Sequence, residues 1–336
     1  TITVGATLGV GDGTNAVTIQ WDTYDPALNV GRWLYLSNNA TWTKSASATL
    51  TFNGSDSHTW ADNNTTKQDM GNVTVNGTAK TISTTTNVTV TTLTIGADDI
   101  LNISNDTLTI TGTGTPFTKT AGGTFTTTSS TVVYTGTTTA TNITTTAYNN
   151  LTLTPTAATT YSLTGNLTGT NALTGNLTIS ANATLDTRPA TTDYSIKCVG
   201  LTINGTLDVS GSASNINTSG NVSIGSAGVF TQGTGTWTFD GTTATTYTDS
   251  TGAQGIGIVS INKTDTVDPA NNNKVTLVSN MAVNTLTIDG TTGQADTFDL
   301  GSGGYILLLG NFGTTDTVLT VNGTLTPGIS TVKYEA

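Results

Sequence analysis

One phrase recurs four times in this sequence and narrows what the chain can fold into. It reads small residue, any residue, aromatic or Leu, Thr, a short variable stretch, then Thr-x-x-aromatic. The copies are ATWTKSASATLTF (Ala40 to Phe52), GTFTTTSSTVVY (Gly123 to Tyr134), GVFTQGTGTWTF (Gly228 to Phe239) and GTLTPGISTVKY (Gly323 to Tyr334), the first with one extra residue. Three continue into Asn53-Gly54, Thr135-Gly136 and Asp240-Gly241, and the fourth into Glu335-Ala336. A second phrase follows: GNVTVN (Gly71 to Asn76), NNLTLT (Asn149 to Thr154) and GIVSIN (Gly257 to Asn262). A third follows that: TLTIG (Thr92 to Gly96), NLTIS (Asn176 to Ser180) and TLTID (Thr285 to Asp289). Repeats therefore begin near residues 40, 123, 228 and 323, each complete one spanning roughly 80 to 105 residues. Phrases kept in fixed order at such spacing mark a repeat architecture.

Within each phrase the period is two. Leu177 and Ile179 share one face of a strand and Thr178 takes the other. The same alternation pairs Val73 with Val75, Leu151 with Leu153, Leu201 with Ile203, and Leu286 with Ile288. About a quarter of the residues are Thr, a β-branched strand former. N-G, D-G and S-G turn signals separate the strands, and nothing between them has helical periodicity. The fold class is all-β.

Short strands with an aliphatic inner face and a Thr outer face leave two architectures. One is a β-solenoid of about 20 residues per coil, each strand parallel to its counterpart one coil away. The alternative is a string of tandem β-sandwich modules. Repeat lengths that differ by more than twenty residues favour the solenoid, which absorbs an insertion as a loop or an extra coil. Leu, Ile and Val at inner positions stack on copies of themselves. The sandwich's paired cysteines are missing, since Cys198 is the single cysteine. In SIKCVGLTI it shares a face with Ile196, the setting of a small buried residue.

GNLTISANATL (Gly175 to Leu185), GLTINGTLDVSG (Gly200 to Gly211) and GVFTQGTGTWTFDGT (Gly228 to Thr242) resemble the Thr/Gly/Asn-rich strand repeats of bacterial surface proteins. Autotransporter passengers and filamentous adhesins are the families in question. The resemblance covers most of the chain after Ala40. It implies a right-handed parallel β-helix outside the cell, serving as stalk, adhesin or fibre. Residues 1–39 depart from the pattern and concentrate Trp21, Tyr24, Trp33 and Tyr35 with Pro26 and Arg32. They are expected to form an N-terminal cap or docking segment, with residues 40–336 as the repetitive solenoid.

Charge excludes some partners. A formal net charge of −11 and ten scattered Lys and Arg supply no basic patch for nucleic acid or an anionic membrane surface. The longest apolar run, YILLLG at Tyr305 to Gly310, is far shorter than a membrane span of about 20 residues. The chain begins at Thr1 rather than Met, which suggests a processed chain or a segment of a longer one. Composition fits the cell surface or extracellular space.

Chemistry is sparse. His58, in SDSHTW, is the single histidine, so no His-based triad or metal centre can be assembled. Asp98 with Asp99, Asp265 with Asp268, and Asp296 with Asp299 are the carboxylate pairs a glycosidase or a calcium site would use, and each sits in a turn, where Asp caps its own backbone. No catalytic residue, metal site or cofactor is expected. Asn-x-Ser/Thr occurs at nineteen positions, among them Asn39, Asn76, Asn102, Asn166, Asn182 and Asn204, the candidate glycosylation sites in an exported chain. Turn Asn before an outward Thr creates the same triplet unaided. TNVTVTTLTI (Thr86 to Ile95) carries the T-x-T spacing of an ice-binding face, although outward positions elsewhere mix Asn, Asp, Ser and Lys.

The last residues, Gly328 to Ala336, repeat the opening phrase without completing it. Two explanations are expected to compete: a fragment of a longer repetitive protein, or an open edge completed by the next copy. In the second, Thr1 to Val10 acts as an added strand with Ile2, Val4, Ala6 and Leu8 on one face, meeting Val332 and Tyr334 head to tail. The expected function is an extracellular structural protein, the subunit of a surface filament or coat and its own partner. Alternatives are a monomeric adhesin stalk binding a glycan or receptor, a carbohydrate-active β-helix enzyme, and an ice-binding protein.

Overall fold

The computed structural model describes residues 1–22, 26–137, 140–290, 295–310 and 317–335. Tyr24 of the aromatic N-terminal group and the terminal Ala336 lie outside the described residues. Among the described residues one short strand follows another, relieved by a single 3-10 turn at Gly169–Asn171 and one turn of α-helix at Pro269–Asn272. No described helix is long and apolar enough to cross a membrane. The chain is a parallel β-solenoid made of two compact units, Thr1–Thr159 and Thr160–Ala336.

Each coil of the first unit visits three faces. The first face holds Ile2–Val4, Leu28–Val30, Thr49–Phe52, Asn72–Val75, Thr92–Ile95 and Phe117–Lys119. The second begins with Leu8–Val10, Leu34–Leu36, Ser57–Asp62 and Thr81–Thr84. The third opens with Val17–Gln20 on Ala40–Thr43 and resumes with Val88–Val90, Thr107–Ile110 and Thr131–Tyr134. Neighbours pair in parallel and in register, so residues of one kind pile up. Leu28, Leu50, Val73, Leu93 and Phe117 form one column; Val30, Phe52, Val75 and Ile95 form the next. Both columns are buried from Leu28 onward. The outer positions between them make a row of their own, Asn29, Thr51, Thr74, Thr94 and Thr118. The alternation read from the sequence is thus the inside–outside alternation of each coil.

The second unit repeats the plan. Ile196, Ile216, Trp237, Val259 and Leu286 stack on one face, and Cys198, Thr218, Phe239, Ile261 and Ile288 beside them. On another face Leu177, Leu201 and Val222 run up to Tyr247. Leu185, Leu207 and Phe230 occupy the third. Removing such aliphatic and aromatic surface from water contributes roughly 25 cal/mol per Å2 and dominates the stability of a coil that has few charges.

Three expectations change. Coil length is not uniform at about 20 residues: Val132 to Leu151 takes 19, Val73 to Leu93 takes 20, Ile2 to Leu28 takes 26 and Phe298 to Leu325 takes 27. The N-terminal segment, expected as a cap or docking segment, is itself coiled, because Ile2–Val4, Leu8–Val10 and Val17–Gln20 each pair in register with the strand one coil on. And Thr1 to Val10 is not one strand. Residues 5–7 turn the chain, so Ile2 and Val4 belong to one sheet and Leu8 to another.

Gly in the repeated phrase has two separate reasons. Gly54 and Gly241 hold φ of +88° and +84°, where a Cβ is strained. Gly136 has ordinary φ, but a Cβ there would press on the carbonyl of Gly112 in the coil below.

Candidate functional site

Among the described residues, each unit has a place where a loop stands in for a strand and is built in the same way. After Ser57–Asp62 the next strand of the third face is replaced by a loop with a single bridge, Asp69 to Thr89. After Thr245–Asp249 a strand is likewise replaced, with the bridge Gly255 to Ala282. An acid opens both loops. Asp62 Oδ1 accepts the Asn64 N–H at 3.0 Å, and its Oδ2 accepts the Gln68 N–H at 2.6 Å. Asp249 Oδ1 accepts the Thr251 N–H at 2.8 Å, and its Oδ2 the Gln254 N–H at 3.0 Å. The glutamine then does what the missing strand would do. Gln68 Oε1 accepts the Trp42 N–H at 3.2 Å; Gln254 Oε1 accepts the Phe230 N–H at 2.6 Å, and its Nε2 donates to the Gly228 carbonyl at 3.2 Å. Backbone groups of the coil below are thereby satisfied by a side-chain amide. Both loops rejoin the solenoid through a left-handed glycine, Gly71 at φ +83° and Gly257 at +82°.

A buried lysine follows each loop. Lys80 Nζ donates to the carbonyls of Gly31 at 2.6 Å and Ser55 at 3.3 Å, while its N–H goes to Asp99 Oδ1 at 2.7 Å. Lys263 Nζ donates to the Asp240 carbonyl at 2.6 Å, and its N–H to Asp296 Oδ2 at 3.0 Å. In each unit one ammonium gathers turn carbonyls and one carboxylate takes the turn's N–H. Burial lowers the Lys80 pKa, with Asp56 and Asp99 opposing. Burial takes Lys263 down to about 8 and lifts Asp296 to about 6. Sequence inspection passed over both lysines. The signal was present in the paired contexts TFNGSDSHTWAD and TFDGTTATTYTD that precede them.

The predicted carboxylate pairs serve turns. Asp99 accepts the N–H groups of Gly77 and Lys80, and Asp98 sits at φ +63°. Asp265 accepts the Asp268 N–H at 2.7 Å and the Asn272 amide at 3.1 Å, and the backbone bond first, then the amide, holds its pKa below the usual value. Asp299 accepts the Gly301 N–H at 2.9 Å. Among the described residues no group of three or more His, Cys, Asp or Glu is placed to hold a metal. Cys198 is buried, and burial with Asp240 nearby pushes its thiol up to about 12, which leaves it unreactive.

The candidate acceptor asparagines are mostly accessible. Asn39, Asn76, Asn166, Asn182 and Asn204 are exposed; Asn102 is half-buried, its Oδ1 accepting the Ser104 N–H and hydroxyl. Asn39 and Asn182 adopt left-handed turns at φ +68° and +67°.

The candidate subunit contacts fall on edge strands. Ile2–Val4, Leu8–Val10 and Val17–Gln20 each have one neighbour in their sheets, as do Leu319–Val321, Thr324–Thr326 and Thr331–Glu335. Inward positions that are buried one coil away come to the surface here. Ile2 is 50% exposed where Leu28 in its column is 3% exposed, and Tyr334 is 63% exposed where Leu309 is 0% exposed. Val4, Leu8 and Val332 are half-buried.

A further cluster lies on the second face of the first unit. Trp33 and Tyr35 flank Leu34 and both point outward, 51% and 45% exposed. The His58 ring packs edge-on against Trp33 at 6.2 Å between centroids. Beside them is a polar hollow of about 320 Å3 lined by Gly31, Arg32, Asn53, Gly54, Asp56 and His58. Burial first, then Lys80 and Arg32, keep the His58 imidazole below its ordinary pKa, against the pull of Asp56. A larger hollow of about 460 Å3 on the second unit is lined by groups such as Asn176, Thr202 and Asn221, with no aromatic or charged side chain.

Comparison with protein-family models, with curated proteins and with solved structures finds no match to this chain.

Proposed function

We propose that this protein is an extracellular structural element, without enzymatic activity, whose solenoid is continued coil on coil by a second copy of the chain. The reading rests on six of the edge strands, Ile2–Val4, Leu8–Val10 and Val17–Gln20 in the first unit and Leu319–Val321, Thr324–Thr326 and Thr331–Glu335 in the second. They are parallel, they have a strand neighbour on one side, and apart from the buried Val10 their inward side chains are half-buried or exposed where the same columns elsewhere are closed. An uncovered strand of this kind is a template for another. A contact between the edge set of the first unit and that of the second in another copy is heterologous and does not close on itself, so it builds a filament. The outward Thr, Asn and Ser rows give such a fibre a neutral, hydrated flank. The net charge of −11 keeps neighbouring fibres apart.

Negative-stain microscopy and light scattering of the purified chain test this. Regular unbranched polymers are expected, and the double variant Val4→Lys, Tyr334→Lys should remain monomeric, because Lys at an inward edge position blocks strand addition. A wild-type chain that stays monomeric at high concentration, or a variant that polymerises as well as wild type, contradicts the reading.

A further inference from the structure

All five tryptophans are described, and four of them, Trp21, Trp42, Trp60 and Trp237, are no more than 6% exposed. Trp33 alone is turned to solvent, with Tyr35 two residues on along the same face. The register explains why the Tyr35 ring is accessible. Tyr35 pairs with Gly9 in the coil before and with Ala61 in the coil after, so no side chain larger than a methyl stands beside it in its row. A Cβ at Gly9, or at Gly5 beside the hollow, would meet nothing within 4 Å. The Tyr35 ring therefore rises from a smooth floor, with Trp33 beside it against His58.

Around that floor gather groups that are scarce in this chain: the single histidine, the exposed Arg32, and Lys80 below. Arg32 makes no ion pair among the described residues. Its guanidinium, the Asp56 carboxylate and the Asn53 amide line one hollow with the imidazole. Arg32 and Lys80 balance Asp56 and Asp99 in charge, so the corner is neutral in a chain of net −11. An amphipathic ring with one apolar face and a rim of hydroxyls matches this arrangement. Its C–H face lies on Trp33 or Tyr35, and its hydroxyls reach Arg32, Asp56 and Asn53. Flat aromatic anchors beside a few convergent polar groups are what binding surfaces use. An acidic sugar would meet Asp56 and the repulsion of the whole chain.

We propose that Trp33, Tyr35 and the hollow formed by Arg32, Asn53, Asp56 and His58 bind a neutral pyranose unit of a glycan. Gly9 lies on the edge strand Leu8–Val10 but at an outward position, between the inward Leu8 and Val10, so the site and the polymerisation proposed above use different sides of that strand.

The test is acrylamide quenching of tryptophan fluorescence, with calorimetry in parallel. The probes are linear hexasaccharides of glucose, mannose, galactose and N-acetylglucosamine, with hexagalacturonate as the acidic counterpart. At least one neutral hexasaccharide should shield Trp33 from quencher and release heat. Trp33→Ala and Gly9→Val should each weaken binding at least tenfold. Gly9→Val leaves the rings in place and fills the floor beside Tyr35, and its circular dichroism and melting should match wild type. Tyr334→Lys should bind as wild type does. The proposal fails if no neutral hexasaccharide binds at millimolar concentration, if only the acidic one does, or if binding survives both Trp33→Ala and Gly9→Val.

Discussion

At the scale of single residues, position relative to the coil decides what a side chain is worth. Trp60 and Trp33 are one strand apart on the same face, yet Trp60 is completely buried over Leu34 while Trp33 is in solvent. Trp60→Ala should destabilise the protein by about 3–5 kcal/mol, because a large cavity is left in a stacked column. Trp33→Ala should change stability by no more than about 0.5 kcal/mol. Chemical denaturation of both variants measures the contrast. The buried charges act through pH. Asp296 titrates at about 6 in the folded chain against an ordinary 3.8, so its contribution is present below pH 3.8 and is lost as pH rises through 6. Lys263 titrates at about 8 against 10.5, so its contribution is present above pH 10.5 and is lost as pH falls through 8. Wild type minus Lys263→Met should therefore become more favourable to wild type from pH 8 to pH 10.5. Wild type minus Asp296→Asn should become less favourable from pH 4 to pH 6. Denaturation midpoints across those two windows, flat for either pair, would show that the burial is relieved in solution.

At the scale of elements, the informative places are those where a strand is missing. The Asp–Gln loops at Asp62 to Gln68 and Asp249 to Gln254 keep the solenoid continuous across a gap by lending a side-chain amide to the backbone below. Gln254→Ala leaves the Phe230 N–H without its acceptor and should cost about 1–3 kcal/mol. Gln232→Ala is the control, since Gln232 Oε1 has no partner among the described residues and its loss should be close to neutral. Equal effects in thermal melts would mean that the hook is incidental. The turn carboxylates belong at this scale too. Asp99, Asp265 and Asp299 accept backbone N–H groups of their turns, one carboxylate from each of the pairs read in the sequence.

At the scale of the molecule, a solenoid's stability is close to a sum over coils and their contacts with immediate neighbours. A strand flanked on both sides is held by two interfaces and an edge strand by one. Amide exchange of the monomeric edge variant should therefore be slow at Leu93 and Ile95, inside the first unit, and fast in Ile2–Val4 and Thr331–Glu335. In the wild-type polymer the two edge segments should gain protection while Leu93 and Ile95 stay as they were. Edge protection that is the same in both states would place the contact elsewhere.

Much of this was determined by local sequence. Alternation of Leu, Ile or Val with Thr specifies a strand and names its buried face, because successive side chains point to opposite sides whatever the strand pairs with. Recurrence of the same phrases specifies stacking, because like columns require like residues. Cys198 as a buried, inert residue and the turn role of the acid pairs followed from neighbours in the chain. Register decided the rest. Whether Thr1 to Val10 is one strand or two depends on where Leu28 and Leu34 lie, and those contacts are more than twenty residues away. Nothing in the immediate local sequence marks Lys80 and Lys263 as buried, and it is the neighbouring coils that present carbonyls to them. Trp33 and Tyr35 read as part of a cap or a docking segment, and only the register places Gly9 and Ala61 beside Tyr35. Burial in a solenoid is conferred by the coil above and the coil below, and only the folded stack says which residues those are.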